Sequence, residues 1–279
     1  MDKVTAVVLN YNSSQDTKKC LSFLSKQSYQ ELSIVVVDNA STNKGEKDAL
    51  KTLQSQYSFI LLLSDNNNGF SAGNNIGIRY AIEHNSEWVL IINPDVEIRD
   101  TEYIKNVLLV KKNWQKVGII GTKSILPDGY NQNPLRELSA VEEINYFSTY
   151  RKEKKYGREY YKSADKTGYC DKLVGCCFFA STEFLQRNGL MDENVFMYSE
   201  EPIIAKSAIN LGYKLLYISE LEVFHQHYEK SKPGSTNDRM LRALKSRKYY
   251  IKKYSGYNPI EKLFALLVKN IQIMIWRIR

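Results

Sequence analysis

Four short apolar runs, each followed by a polar cluster, constrain the fold of this chain more than any other feature of its sequence. The runs cover 4–9, 32–37, 59–63 and 88–92, and segments with helix-capping residues or helical spacing lie between them. Strands that are apolar without alternation are buried on both faces, and their alternation with helices is typical of a parallel sheet. We therefore predict an α/β fold in which helices flank a mostly parallel sheet.

The polar clusters that end these runs fall at 10–12, 38–39, 66–68 and 93–95. The carboxyl ends of parallel strands meet at one edge of a sheet, and the ligands of open α/β sheets bind beyond that edge. Four polar strand ends at one edge are a stronger signal than any one of them. The sequence therefore predicts a ligand-binding cleft there.

Charge and cysteine content indicate the kind of partner and the cellular compartment of the protein. A surplus of 39 basic over 31 acidic residues gives a net charge of +8, which favours an anionic partner such as nucleic acid, a membrane surface or a phosphorylated substrate. The four cysteines form neither a disulfide framework nor paired zinc ligands. Neither a signal-peptide pattern nor an apolar run of about 20 residues, the length that spans a bilayer, is present. We expect a cytoplasmic protein with reduced cysteines.

Three groups of side chains could carry chemistry. The triplet 95–97 supplies two carboxylates, the ligands that Mg²⁺ and Mn²⁺ prefer, although a solvated loop would look the same. Glu200 and Glu201 precede or open a helix, where they could interact with the helix dipole or provide a general base. His225 and His227 alternate along a predicted strand and so face one side, as ligands or as ordinary surface residues.

The order of the motifs along the chain is more specific than any single motif. In this order the chain resembles the inverting family 2 glycosyltransferases, in particular the branch that contains bacterial rhamnosyltransferases, over roughly 4–231. The motifs that carry the resemblance are VVLNYN at 7–12, VVVDNAS at 35–41, NNGFSAGNN at 67–75, NPDV at 93–96, VGC at 174–176, MDE at 191–193, FMYSEE at 196–201, GY at 212–213 and His225.

The resemblance implies a GT-A fold with a Rossmann-like sheet, a nucleoside-diphosphate sugar donor and a divalent cation, Mg²⁺ or Mn²⁺. It implies that Asp38 contacts the base of the donor, that Asp95 binds the metal, and that His225 lies at the metal or the diphosphate. Glu201 corresponds to the catalytic base of the family, and we expect Glu200 or Tyr198 to help orient sugar hydroxyls. The other residues expected to shape the nucleotide cleft are Asn10, Asn12, Asn39, Asn68, Gly73, Asn74 and Asn93.

The sequence departs from the family pattern around the acid pair. Glu201 stands where the family has aspartate, which moves the carboxylate outward by one methylene. The Asp-Leu and Arg that usually follow are replaced by Ile-Ile at 203–204 and Lys-Ser at 206–207. Cys176 and Met191 also replace a small residue and a phenylalanine. These departures concern the acceptor side and leave the nucleotide half unchanged.

The C-terminal segment, 233–279, differs in character from the rest. Seven basic residues and no acidic residue lie within 239–253, and apolar residues recur beyond them at helical spacing. Such a basic amphipathic helix can lie in the headgroup plane of an anionic membrane, or it can pack on the catalytic domain with a solvated basic face. We predict a GT-A domain over 1–232, with a nucleotide-sugar half at 1–98 and an acceptor half at 99–232, followed by a membrane-associating helical tail.

Together these features predict a metal-dependent glycosyltransferase that is peripheral on the inner face of the cell membrane. On the resemblance alone, we expect dTDP-rhamnose or a UDP-hexose as the donor. We expect a lipid-linked glycan acceptor in surface polysaccharide synthesis and an anionic membrane surface as partners, but no nucleic acid. The sequence does not determine the oligomeric state, and a homodimer is one state that we consider.

Other classes of protein make different demands on the sequence. A nucleotidyltransferase also needs carboxylates at strand ends, but it should have a glycine-rich loop with a nearby Lys or Arg after the first strand, where 10–13 is uncharged. A nucleic-acid binder would need stacking aromatics beside the basic tail, for which Tyr249 and Tyr250 are a weak signal. A non-catalytic nucleotide- or glycan-binding relative would have no need to keep Asp95 and Glu201 together.

Overall fold

The structure is a computed structural model, and it describes residues 1–145, 149, 151, 166–226 and 236–278. The expectation for His227 lies outside these described residues. Within them the sheet contains the strands β1 Val4–Asn10, β2 Leu32–Asp38, β3 Ile60–Leu63, β4 Trp88–Ile92, β5 Val96–Glu97, β6 Val117–Ile125, β7 Gly168–Cys170, β8 Cys177–Ser181 and β9 Lys214–His225. The helices are α1 Ser14–Leu24, α2 Glu46–Gln54, α3 Phe70–Glu83, α4 Tyr103–Lys111, α5 Ala140–Ile144, α6 Thr182–Asn188, α7 Glu200–Asn210, α8 Thr236–Lys253 and α9 Pro259–Ile278.

The first half of the sheet is parallel and has the strand order β3-β2-β1-β4. Asn10 lies opposite Asp38 in register, and Val8 lies opposite Ile92. The carboxyl ends of these strands therefore meet at one edge, and the polar clusters predicted from the sequence follow directly. The predicted α/β architecture is confirmed.

The second half of the sheet is mixed. β8 is antiparallel to both β4 and β6, whereas β9 is parallel to β6 and antiparallel to β5 and β7. The pairing of β6 with β9 has a register shift near Ile218, and His225 then pairs with Val96 of β5. This pairing places the end of β9 beside the polar segment that follows β4.

Apolar residues cover both faces of the sheet. Leu21 of α1 and Leu50 of α2 are buried on one face, and Ile78 of α3 and Phe184 of α6 are buried on the other. Complete burial of such a side chain contributes about 1.5–3 kcal/mol of transfer free energy. Because both faces are covered, the central strands are apolar without alternation, which is the pattern that the sequence presents.

The two C-terminal helices pack against each other and against the second half of the domain. Tyr250, Ile251 and Ala265 are buried with Val195 and Ile203 in a third apolar cluster. One face of the predicted tail is therefore part of the folded domain.

A buried ion-pair cluster joins the same helices to α5. The Glu143 carboxylate lies 2.7 Å from Arg247 of α8 and 2.8 Å from Lys269 of α9. Lys269 is only 3% exposed. None of the helices in the described part of the chain combines the length and apolar character needed to cross a bilayer.

Candidate active site

A buried polar network around Asp38 ties together the ends of β1 and β2. Asn10 Nδ2 donates to Asp38 Oδ1 at 3.0 Å, and the Ser41 hydroxyl donates to the same oxygen at 2.5 Å. Asn10 Oδ1 accepts from Thr17 Oγ1 at 2.8 Å. Asn10 and Asp38 are completely buried, so these bonds fix the carboxyl ends of β1 and β2 relative to each other.

Asn12 holds the loop after β1 against the loop after β2. Its φ of 54° is left-handed, a conformation that asparagine tolerates better than most residues. Its Oδ1 accepts hydrogen bonds from the backbone N–H groups of Thr42 and Asn43 at 2.8 and 2.9 Å. Glu46, at the start of α2, accepts from the backbone N–H of Ser14 at 2.6 Å and adds a second tie.

The turn between β3 and α3 packs against the loop that precedes α7. Asn39 Nδ2 donates to Asn67 Oδ1 at 3.0 Å, and the neighbouring Asn68 is exposed. Gly69 has a φ of 101°, and a Cβ there would lie 2.2 Å from the carbonyl oxygen of Phe196. Only glycine permits this approach, which sets the turn against the loop that leads to the acid pair.

Two predicted cleft residues lie in the first turns of α3. A Cβ at Gly73 would lie 2.5 Å from Leu9, so the helix approaches β1 closely because glycine is there. Asn74 is completely buried and donates to the Phe70 carbonyl at 3.0 Å. Within the described residues Asn74 Oδ1 accepts no hydrogen bond, which leaves it able to accept one from a ligand.

Asp95 and His225 meet where β5 pairs with β9. His225 Nε2 lies 3.4 Å from Asp95 Oδ2, and the backbone N–H of Gln226 donates to the Asp95 carbonyl at 2.8 Å. Gln132 Oε1 accepts from His225 Nδ1 at 2.8 Å and thereby orients the ring. Burial alone would lower the pKa of His225, but its hydrogen bond to Asp95 raises that pKa to about 10.

The Asp95–His225 pair fits the donor chemistry of Mn²⁺ or Mg²⁺. Such cations bind one or two protein groups and complete their shell with water and substrate phosphates. In the parts of the chain that the structure describes, no group of three or more His, Cys, Asp and Glu side chains could hold a metal ion by itself. Glu97, the second carboxylate of the triplet, is bound instead by Arg99 at 2.7 Å.

The acid pair begins α7 directly after two strained residues. Tyr198 and Ser199 have left-handed φ values of 74° and 67°, a conformation that costs on the order of 1–3 kcal/mol per residue and is common at functional sites. Glu200 is 8% exposed, and burial together with the charge of Glu201 raises the pKa of Glu200 from near 4.5 to about 8. Glu201 is half-buried, and a Cβ at Gly175 would lie 3.3 Å from its carboxylate.

The short segment before β8 connects the acid pair to the polar segment after β4. The Cys176 carbonyl accepts from the Asn93 backbone N–H at 2.8 Å, and the preceding Gly175 lies so near Glu201 that a Cβ there would be 3.3 Å from its side chain. The predicted residues thus form neighbouring groups at one edge of the sheet. These are the network of Asn10, Asn12, Asp38 and Asn39, the α3 turns with Asn68, Gly73 and Asn74, the Asn93 segment with Asp95 and His225, and the pair Glu200 and Glu201.

Sequence reasoning assigned no role to three residues that hold this arrangement. Ser41 lies within a quoted motif, so its position was a usable signal. Glu46 is an acidic residue in the first turn of a helix, where the dipole offers a simpler explanation. Gln132 lies in an irregular stretch with no periodicity, and nothing in the sequence links it to His225.

A family model described as glycosyl transferase family 2 matches residues 5–178. Low-salt glycan biosynthesis hexosyltransferase Agl10 of Haloferax volcanii is 28% identical over 204 residues, which cover 72% of this chain and 60% of that protein. The dTDP-rhamnosyl transferase RfbF of Shigella flexneri is 25% identical over 236 residues, 82% of this chain and 70% of that protein. The N-acetylglucosaminyl-diphospho-decaprenol L-rhamnosyltransferase of Mycobacterium tuberculosis is 22% identical over 253 residues, 80% of this chain and 76% of that protein.

Solved structures share the fold over nearly the whole chain. The mannosyltransferase PcManGT from Pyrobaculum calidifontis, in complex with GDP-Man and Mn²⁺, has a TM-score of 0.63 at 16% identity and covers 98% of this chain and 74% of its own. S. aureus TarS 1–349 in complex with UDP-GlcNAc has a TM-score of 0.60 at 15% identity and covers 99% of this chain and 72% of its own. At these identities the likeness concerns the fold, and it confirms the predicted GT-A fold.

Proposed function

Because the chain belongs to glycosyl transferase family 2, we propose that it transfers one hexosyl unit, with inversion, from a nucleoside-diphosphate sugar to a lipid-linked glycan of a surface polysaccharide. The donor in this proposal is dTDP-rhamnose or a UDP-hexose. Its support is that two relatives are named as rhamnosyl transferases and one as a hexosyltransferase. The observation that carries the proposal is the position of Asp38, the Asp95–His225 pair and the acid pair at one edge of the sheet.

Transfer requires that the acceptor hydroxyl lose its proton while its oxygen bonds to the anomeric carbon. In this proposal Glu201 takes the proton, and the electrons of the breaking bond leave with the nucleoside diphosphate. Glu201 is half-buried beside Gly175, so its side chain is partly open to solvent. Glu200 is buried, and its raised pKa keeps it largely protonated at neutral pH. A protonated carboxyl can donate a hydrogen bond to a sugar oxygen but cannot accept the acceptor's proton.

Asp95 and His225 would hold the divalent cation. When bound, the cation would neutralise negative charge on the departing diphosphate. Gln132 keeps His225 Nε2 directed at Asp95 through its 2.8 Å bond to Nδ1. Mutation of a residue that orients a metal ligand in this way commonly lowers metal affinity by about 10–100-fold.

The proposal also includes peripheral attachment to the cytoplasmic face of the cell membrane. One relative is named for a diphospho-decaprenol compound. An acceptor with a long polyprenyl chain partitions into a membrane, because each buried methylene contributes about 0.8 kcal/mol. An enzyme that uses such an acceptor gains by residing at the same surface.

Replacement of Asp95 by alanine tests the nucleotide and metal site. We expect Asp95→Ala to weaken Mn²⁺-dependent binding of UDP or dTDP by more than about 100-fold, since even an outer partner of a metal ligand is worth about 10–100-fold. Isothermal titration with and without Mn²⁺ measures this.

Glu97→Gln is the matched control, because Arg99 engages the Glu97 carboxylate. We expect its metal-dependent affinity to stay near that of the wild type. Unchanged metal-dependent affinity in Asp95→Ala, with the fold intact by circular dichroism, would contradict the assignment of Asp95.

A further inference from the structure

The outer face of α9 is apolar and exposed along its whole length. Three of its side chains, Leu267, Met274 and Ile278, are 47%, 59% and 81% exposed, whereas Ala265 and Ile273 on the opposite face are buried. We call the exposed set the α9 stripe, and its members are Ile260, Leu263, Phe264, Leu267, Ile271, Met274, Ile275 and Ile278.

A groove of about 500 Å³ lies between α8 and α9, beside this stripe. Its polar wall contains Lys245, Lys248 and Lys252 of α8 and Arg277 of α9. Met274 belongs both to the groove and to the stripe. The volume falls within the range of about 300–1,000 Å³ that is typical of ligand pockets.

The cations of this groove differ from the other basic residues of the same helices. Arg247 and Lys269 are neutralised by Glu143, and Lys253 is neutralised by Asp192. Within the described residues no carboxylate lies within ion-pair distance of Lys245, Lys248, Lys252 or Arg277. The three lysines are spaced three and four residues apart, so they repel one another on one helix face until an anion binds.

The stripe alone is compatible with two occupants. Its spacing alternates between three and four residues, which also suits a second α9 in a coiled coil. Charges beside a coiled-coil seam normally complement those of the partner, whereas a second copy would bring the same groove cations together. The described parts of α8 and α9 contain only two acidic residues, Asp238 and Glu261. Charge complementarity therefore favours an anionic partner over a second copy.

We propose that the groove between α8 and α9 binds the phosphate of an anionic membrane lipid while the α9 stripe lies in the interface of the same bilayer. The inference rests on the peripheral attachment included in the proposed function and identifies the surface that makes it. Lysine and arginine side chains bind phosphate, and an adjacent apolar face suits the acyl boundary of the lipid.

Vesicle sedimentation tests the groove with the full-length protein. Vesicles of phosphatidylcholine and phosphatidylglycerol in equal parts are compared with vesicles of phosphatidylcholine alone. We expect the double variant Lys248→Gln/Lys252→Gln to bind the anionic vesicles roughly 30-fold more weakly, because each basic residue near such a surface is worth about fivefold. The matched control, Lys18→Gln/Lys112→Gln, removes one exposed lysine of α1 and one exposed lysine directly after α4, and it should stay near the wild type.

Equal loss in the two double variants, or equal binding of wild type to both vesicle types, would overturn the proposal. Phe264→Ser tests the stripe and should weaken vesicle binding without changing the sedimentation coefficient in vesicle-free solution. If it instead converts a dimer into a monomer, the stripe is covered by a second copy and the proposal is wrong.

Hydrolysis of a water-soluble nucleotide sugar separates this inference from the proposed function. We expect all these variants to keep wild-type hydrolysis, which also shows that they fold. If the wild type hydrolyses a nucleotide sugar but does not bind vesicles, the proposed membrane surface is wrong and the proposed function is unaffected. Vesicle binding without hydrolysis of any nucleotide sugar would count against the proposed function and leave the surface standing.

Discussion

Glu200 and Glu201 are adjacent in the chain but differ in environment. Glu201 is half-buried beside Gly175, whereas Glu200 is buried and its pKa is raised to about 8. We expect Glu201→Gln to lower turnover by about 10²–10⁴-fold, the usual contribution of a general base, without loss of donor affinity. Glu200→Gln should retain more activity, because glutamine can replace a protonated carboxyl as a hydrogen-bond donor. Steady-state turnover and donor titration for both variants measure this, and the reverse ranking would make Glu200 the base.

The buried Glu200 also makes a prediction about stability. Its folded-state pKa is raised from near 4.5 to about 8, so the stability gained by binding its proton is complete below 4.5 and is lost as the pH rises through about 8. Relative to Glu200→Gln, the wild type should therefore lose free energy of unfolding between those pH values. Urea unfolding across this range measures the difference. Parallel curves for the two proteins would mean that Glu200 is ionised in the folded state.

At the residue scale, the sequence predicts a functional role only for residues that lie in the ordered series of motifs. Asp95 and His225 were singled out because each falls in such a motif, and the structure sets them 3.4 Å apart. The roles of Gln132 and Lys269 cannot be predicted from the sequence. Their partners, His225 and Glu143, are more than 90 residues away in sequence, and hydrogen bonds at that separation leave no local pattern.

Individual elements were predicted where local pattern decides them. The apolar runs of β1 and β2 were recognised because burial on both faces leaves no alternation. The antiparallel direction of β8 was not predicted, since strand direction depends on connections and not on local composition. The sequence does not decide how the C-terminal helices pack, because an amphipathic helix suits a membrane and a protein core equally well.

The Asp192 carboxylate, in the loop before α7, anchors the last turns of α8. Asp192 accepts hydrogen bonds from Tyr249 at 2.7 Å, from Lys253 at 3.0 Å and from Tyr254. Although burial would raise the pKa of Asp192, its hydrogen bonds from Tyr254, Asn194 and Tyr249 hold that pKa well below its usual range. We expect Asp192→Asn to cost about 1.5–3 kcal/mol of unfolding free energy, the worth of a hydrogen bond to a charged group.

Urea unfolding and amide hydrogen exchange measure that effect. Exchange should accelerate in 245–253 of the Asp192→Asn variant, because the last turns of α8 lose an anchor. Asp65→Asn changes an exposed carboxylate and serves as the control. Equal stability and equal exchange in the two variants would mean that Asp192 does not anchor the helix.

At the scale of the whole molecule, the fold brings the parallel half and the mixed half of the sheet together along one edge. The Gly69 turn lies against Phe196, and the segment before β8 connects Asn93 to Glu201. In the proposed function, a site assembled in this way binds a donor on one side and deprotonates an acceptor on the other. The relatives span several hexosyl- and rhamnosyltransferases, so the family alone does not select the sugar.

A product assay on a panel of nucleotide sugars, with Mn²⁺ or Mg²⁺, tests the proposed reaction in the wild-type protein and in Glu201→Gln. Chromatography of the nucleotides reports which bond is broken. We predict that the wild type consumes dTDP-rhamnose or a UDP-hexose and releases the nucleoside diphosphate, faster with a lipid-linked acceptor, and that Glu201→Gln binds the same donor without turning it over. Consumption of a nucleoside triphosphate and a sugar phosphate with release of pyrophosphate would instead identify a nucleotidyltransferase and contradict the account.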